Sequence, residues 1–538
     1  MSTSSGMGWY VFDVSTSQNC DFQVISIDGI ESLGKPYSFD IELVSSSYDL
    51  DLSQLIGLPG TLTVQPPWGS SSCFYHGIIT RIESLKVSNQ GVMHYRVQLE
   101  PRYSRLKQST LNYLYTNNIQ GFKLSDLINS VMDRQAFTSG SDYQINIASP
   151  AMTRDFVMQY SETDFDFLQR WIEYEGACYY FSQEATSEKI YFIDDVRSIP
   201  SKTHDLRYTP PGMFGVDQYE SSLLNLDSVQ NLAIKTWGVD DYNYEKAQDL
   251  VTGTQVNAGA LWGNHFLFGG GLKENDVAQK YALYRGQASM AKIFIAHGKT
   301  FVSGIAPGDK VNVTEHPRKS LNAQYRVVSV RHLGSQGGFG LSTPAGDSDQ
   351  EALATYYTAE IELIPAETPF RLPLTTPVPK VTGYLPGLID GEGDGKVPEL
   401  DKYGRYKVKF PFSFNSYDPG KASAWVRFAS PFNGIGQYGN SGFHFPLLKG
   451  TEVMLVFEGG NPDLPAISGA MANSLAPNTV TDHNPTLNRI VSYSGNQMHL
   501  DDTSNTGGIR LLSSKGALFT LGAFGGTIGS PSDDSSEN

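Results

Sequence analysis

Positive charge is scarce in this 538-residue sequence: 40 Lys and Arg stand against 56 Asp and Glu, a formal net charge of −16 at pH 7. No basic stripe is available to neutralise phosphates, which argues against a nucleic-acid surface and against adhesion to anionic membrane. A basic protein patch is the natural complement of such a chain. Cysteine is nearly absent. Cys20, Cys73 and Cys178 are isolated, odd in number and without metal-ligand spacing, and they read as ordinary thiols of a reducing compartment. No basic segment followed by a long apolar run opens the sequence, so neither a conventional signal peptide nor a transmembrane span is expected. Work outside the cell would then need an exit route that uses no such signal.

The signatures of catalysis are missing too. The histidines are scattered, with no His-Glu-x-x-His pattern, and there is neither a Gly-x-Ser-x-Gly elbow nor a phosphate loop. Asp164, Asp166, Glu173 and Glu175 have the residue type of glycosidase acids, but they accompany an amphipathic helix and read as its solvated face. The acidic loop Asp390 to Gly395 partly matches a calcium loop. Its twelfth position is Asp401 rather than Glu and its ninth is Pro398, so a solvent-facing turn is expected. Asn415, Trp425, Arg427 and Tyr438 resemble a base-stacking set, yet the charge opposes it and packing is the favoured role. No catalytic residue, metal ligand or cofactor is assigned.

What is present is length, glycine and aromatic residues: 53 Gly, 29 Tyr and 28 Phe, with 40% apolar residues. The length calls for three or four domains, and the composition favours turn-rich β structure. Tyr37 to Leu43 and Val92 to Leu99 alternate apolar and polar, the period of a half-buried strand. Residues 8 to 110 therefore read as a β-barrel or compact sandwich. Leu124, Leu127, Ile128 and Val131 then share a helical face. A second helix begins after Ser161, whose spacing to Asp164 matches a capping box, and stops at Gly176. Phe165, Leu168 and Ile172 form its stripe, with Trp171 extending the packed surface. Residues 205 to 345 return to β structure, interrupted by a helix from Asn275 to Gly286. Pro365 to Pro379 reads as a stiff linker. A further barrel-like segment runs to about Asn473, in which Arg405, Lys407 and Lys409 alternate with apolar residues and await carboxylate partners. Asn484 to Gly526 is a series of very short strands too narrow to bury its own apolar residues. Winding several copies about one axis solves that problem, with Ile509, Leu511, Leu518 and Leu521 near the axis. The tail from Ser530 to Asn538 is polar.

Tyr403-Gly-Arg-Tyr-Lys-Val-Lys-Phe-Pro411, Trp425-Val-Arg427, Gly450-Thr-Glu-Val453 and Glu458-Gly-Gly-Asn-Pro-Asp-Leu-Pro465 resemble the VgrG spike family of type VI secretion, related to contractile phage tail hubs. Ser161 to Gly176 is a second marker, and Asn496 to Ser513 looks like the entry to the needle. The resemblance implies a mainly β fold with a minor α component. Residues 1–110 and 205–365 would be the two hub barrels, with an α/β insertion at 111–204 between them. A linker (366–379), an oligonucleotide/oligosaccharide-binding (OB) barrel at 380–473, an intertwined β-helix base at 474–529 and a flexible tail (530–538) would follow. It also implies a non-enzymatic homotrimer that sits on a hexameric tube protein, carries a Pro-Ala-Ala-Arg (PAAR) repeat tip and possible effector cargo or adaptor, and touches a target membrane only in passing. Assembly would take place in the cytoplasm and delivery outside it. The spike of an extracellular phage-like particle or phage tail is the sister reading, and a secreted glycan-processing enzyme the competing one.

Overall fold

The computed structural model describes residues 9–522 except 19, 67–71, 88–90, 117–121, 148–153, 155, 211–220, 337–354, 394, 415–418, 422–424 and 505–506. Asn415, Asp394 and the 530–538 tail thus lie outside the described residues. The fold is mainly β with a minor α component. The chain forms two compact units: Met1–Thr382 with Phe412–Ala424 and Phe457–Pro465, and Gly383–Pro411 with Trp425–Val456 and Ala466–Asn538.

The first unit is built on one 12-stranded sheet in which two barrels are fused. In Lys35–Ser45, alternation turns Tyr37, Phe39, Ile41 and Leu43 inward against Tyr95, Val97 and Leu99 of the neighbouring Met93–Glu100. Burial at this depth contributes about 1.5–3 kcal/mol per large side chain. Gln23–Ser32, the last strand of the first barrel, pairs with Gln324–Ser335, the first of the second. The second barrel runs on through Lys310–Thr314, Thr203–Tyr208, Ser222–Gln230, Phe294–Thr300 and Tyr356–Pro365, and the last of these returns to Gln324–Ser335 to close it.

Among the described residues the first barrel has no ladder between its end strands Tyr10–Val14 and Gln23–Ser32. Gln336 bridges them instead. Its amide nitrogen donates to the carbonyls of Tyr10 (3.3 Å) and Val24 (3.0 Å), and its amide oxygen accepts the Tyr10 N–H at 3.1 Å. Its own backbone N–H donates to Ile25 O. Gln336→Ala should cost about 2–4 kcal/mol, because several buried backbone groups lose their partner together. Urea denaturation read by fluorescence checks this, and a loss below about 1 kcal/mol contradicts the closure.

Between the barrels lie α1 (Leu124–Arg134), α2 (Asp164–Tyr174) and a sheet of Tyr143–Asn146, Cys178–Gln183 and Glu188–Ile193. The start of α2 differs from the sequence expectation. The strand pairs with Thr110–Thr116 as far as Thr163, which delays the helix, and Ser161 sits at an irregularity of that ladder at φ +48°. The N-cap is therefore shifted by two residues, to Thr163. The Thr163 hydroxyl accepts the Asp166 N–H at 2.9 Å and donates to the Asp166 carboxylate at 2.7 Å. Gly176 ends the helix at φ +67°, as read. Within the 205–365 span a separate layer appears: Ile234–Tyr242 lies between Leu250–Val256 and Trp262–Phe268, with α3 (Asn275–Met290) on one face. α3 runs four residues past the expected Gly286.

The second unit contains a closed five-stranded barrel in the order Leu385–Asp390, Tyr406–Lys409, Trp425–Phe428, Pro465–Met471 and Glu452–Phe457. Ile389, Tyr406, Val408, Val426, Leu455 and Ile467 are buried within it. A short hairpin, Asn433–Gly436 with Gly439–Gly442, holds Ile435 and Tyr438 92% and 96% exposed. Four antiparallel strands follow: Leu487–Val491, Gln497–Asp501, Gly508–Leu512 and Leu518–Gly522.

Candidate functional site

The arrangement closest to catalytic chemistry lies where the barrels fuse. His332, fully buried, has Tyr357 Oη 2.7 Å from Nδ1 and Glu31 Oε1 2.9 Å from Nε2. Glu31 also borders a cleft of about 550 Å³, shared with Cys73, Lys202, His204 and Asp309. A cysteine nucleophile needs a depressed pKa and a free imidazole. Burial pushes the Cys73 thiol up instead. Both nitrogens of His332 are occupied, and His204 Nε2 lies 3.0 Å from the Asp309 carboxylate. The His332 contacts tie strands together, and the Cys73 thiol is not activated.

α2 is the better-built site. Leu168, Ile172 and Phe167 are fully buried among residues of α1, including Leu127, Ile128 and Val131. Phe165 is half-buried, edge-on to Tyr103. Trp171 is buried with the Arg154 and Arg170 guanidinium groups 4.5 and 5.1 Å from its ring. The solvated acidic face is not observed, because α2 is covered on nearly every side. The buried Asp164 carboxylate accepts from Arg134 (2.6 Å), Gln135 (2.6 Å) and Gln159 (2.9 Å). Glu173, also buried, accepts the backbone N–H groups and hydroxyls of Thr375 and Thr376 at 2.7–2.9 Å. The Pro- and Thr-rich stretch is thereby pinned to the helix, and Leu372 joins the same core. Glu175 accepts the Tyr281 hydroxyl at 2.8 Å, and Asp166 serves as cap partner. At the C-terminal end Arg285 donates to Glu173 O (2.8 Å) and Arg371 to Gly176 O (2.7 Å), placing cations where the helix dipole favours them.

Two distant motifs meet at Arg170. Its guanidinium grips Glu162 through Nε (2.9 Å) and Nη2 (2.8 Å), and Nη2 also donates to Met158 O at 3.0 Å. Nη1 lies 3.6 Å from Asp463, the acid of the Glu458–Pro465 block, whose other oxygen accepts the Met158 N–H at 2.6 Å. Both motifs are legible in the sequence, but their pairing is not. The available signal was a charged residue beside an apolar helical stripe.

Burial pushes the Glu162 carboxyl up to about 7, Arg170 opposing and Asp463 adding to the rise. Folding thus favours the neutral acid. Its contribution is full below the ordinary value of 4.5 and is lost as pH rises through about 7. The stability difference between wild type and Glu162→Gln should therefore change by up to about 3 kcal/mol across that window, with wild type losing ground at higher pH. Denaturation of both proteins at pH 5 and pH 8 measures it, and parallel curves contradict it.

In the second unit Trp425 is half-buried, with Lys407 Nζ 5.0 Å from its ring. Arg405 pairs with Asp401 at 2.6 Å and Lys407 with Glu399 at 3.7 Å. Among the described residues no group of three or more His, Cys, Asp or Glu is arranged to hold a metal ion. No helix among them is long and apolar enough to cross a membrane.

The C-terminal meander carries an uncovered apolar face. Its register aligns Ile490, Met498, Leu511 and Phe519 across the four strands, with Leu500, Ile509 and Leu521 on the same side. Most of these side chains are exposed. Leu518 departs from the expectation: it pairs with Leu512, and strand alternation turns both to the opposite face.

A family model described as Phage tail baseplate hub (GPD) matches residues 30–338, more than half of the chain. The chain is 27% identical over 464 residues to the type VI secretion system spike protein VgrG5 of Pseudomonas aeruginosa, an overlap of 84% of this chain and 56% of that protein. It thus spans little more than half of that relative's length. Its fold is similar to that of the E. coli c3393 protein, a type VI component described as structurally similar to the T4 bacteriophage tail proteins gp27 and gp5. The TM-score is 0.59 at 22% identity, covering 86% of this chain and all of that one. The half-lidded Francisella PdpA-VgrG complex gives a TM-score of 0.58 at 11% identity, covering 93% of this chain and 83% of that one.

Proposed function

Because the chain belongs to the phage tail baseplate hub family, we propose that it is the non-enzymatic hub and spike of a contractile injection apparatus, working as a homotrimer. The observation that carries this reading is the C-terminal meander, whose apolar face finds cover when three copies wind about one axis. The fused barrels support it as well. A trimer with two barrels in each copy offers six quasi-equivalent positions, the symmetry needed to cap a hexameric tube. Assembly occurs in the cytoplasm, and sheath contraction then drives tube and spike into a target envelope. A PAAR-like tip protein and effector cargo are the expected passengers. The similarity to VgrG5 favours the type VI form over the phage-tail form. The burial of Asp164 and Glu173 in structural hydrogen bonds weighs against the glycan-processing alternative.

Co-purification of the full chain with its hexameric tube protein, together with a contraction-dependent delivery assay, tests the proposal. Docking and delivery without glycan turnover are expected. Robust turnover with no docking would establish the enzyme instead.

A further inference from the structure

The three-stranded layer of the first unit has one face covered and one bare. Val239 and Val251 pack with α3, and Gly253 faces it so closely that an added Cβ would lie 2.2 Å from the α3 backbone. The register turns Tyr242, Leu250, Val256, Trp262, Phe266 and Phe268 to the other side. All six are exposed, Trp262 at 69% and Phe268 at 72%. Trp262–Phe268 is also an edge strand, paired only with Ile234–Tyr242 among the described residues. An uncharged aromatic edge of this kind invites association unless something covers it.

Area and charge both point to the occupant. Six such side chains expose on the order of 700 Å² of apolar surface, above the roughly 300–600 Å² of a typical monomer's largest patch and close to the ~800 Å² per partner of a standard interface. Asp240 is the one charged residue on this face, and no Asp, Glu, Lys or Arg occurs from Leu261 to Leu272. A phosphate-bearing partner finds no cation here. Copies that each carry a net charge of −16 repel one another, and a face stripped of charge is where they meet at the lowest electrostatic cost.

We propose that this bare face is a seam between copies of the chain, covered in the assembled hub by the neighbouring copy. The inference rests on the homotrimer reading and adds to the C-terminal meander a second, independent contact in the first unit.

Hydroxyl-radical footprinting of the purified full chain, with its mass in solution measured in parallel, tests the seam. Trp262, Phe266 and Phe268 should be oxidised several-fold more slowly in the folded assembly than in the urea-unfolded chain, whereas side chains left 55–72% exposed would react at close to the unfolded rate. Phe266→Ser combined with Phe268→Ser changes only exposed positions, and should restore fast oxidation of Trp262 and promote dissociation on dilution. An oligomer in which the three residues react at the unfolded rate overturns the seam and leaves the homotrimer standing. Protection that appears only after tube protein is added overturns it too, since the occupant would then be the tube. A monomer overturns both readings.

Discussion

Replacing Arg170 with methionine is expected to cost the folded first unit about 3–5 kcal/mol at pH 8, the usual consequence of stranding buried carboxylates without their counter-ion. Glu162 would lose both arms of its bidentate partner, and Asp463 would keep the Met158 N–H but lose its nearest guanidinium. Methionine preserves much of the volume beside Phe167 and Trp171, so the loss is electrostatic more than a cavity effect. The same substitution should cost less at pH 5, because Glu162 is then neutral. Urea denaturation at the two pH values measures both numbers. Equal costs at both values would mean that Glu162 is not the group left stranded.

The second large effect concerns the meander. Leu511→Glu or Ile509→Glu puts a carboxylate on the face that the trimer would bury, at a cost of about 3 kcal/mol per copy, roughly a hundredfold in association. Thr520→Glu, on the opposite face and exposed, should leave the assembly intact. The pair of outcomes distinguishes a specific axial face from a general intolerance of added charge. If the Thr520 variant dissociates as readily as the other two, the apolar face is not the contact.

Much of the fold was legible because it rests on local periodicity. The alternation from Tyr37 to Leu43 requires a strand with one wet face, and the stripe through Leu168 and Ile172 requires a covered helix. What escaped reading depends on tertiary contacts. Ser161 has the spacing of a cap, but the ladder runs on to Thr163 and Ser161 sits at an irregularity within it, at φ +48°. Asp164 and Glu173 look like surface acids in any window of sequence, and they are buried because Arg134 and the Thr375–Thr376 segment reach them from elsewhere in the chain. Leu518 parts from Leu511 for a geometric reason: the turn from Ser513 to Ala517 pairs Leu512 with Leu518, so Leu511 and Leu518 end on opposite sides. Nothing local marks Gln336 as the bridge of the first barrel, since its partners lie over 300 residues away. The aromatic alternation of Trp262, Phe266 and Phe268 was visible in the sequence, but its exposure was not.

Sedimentation equilibrium of the full-length chain at micromolar concentration is the most direct test of the central claim. A trimeric spike predicts a single species at three times the chain mass, which Leu511→Glu shifts toward one chain mass. A persistent monomer with a folded first unit would contradict the account.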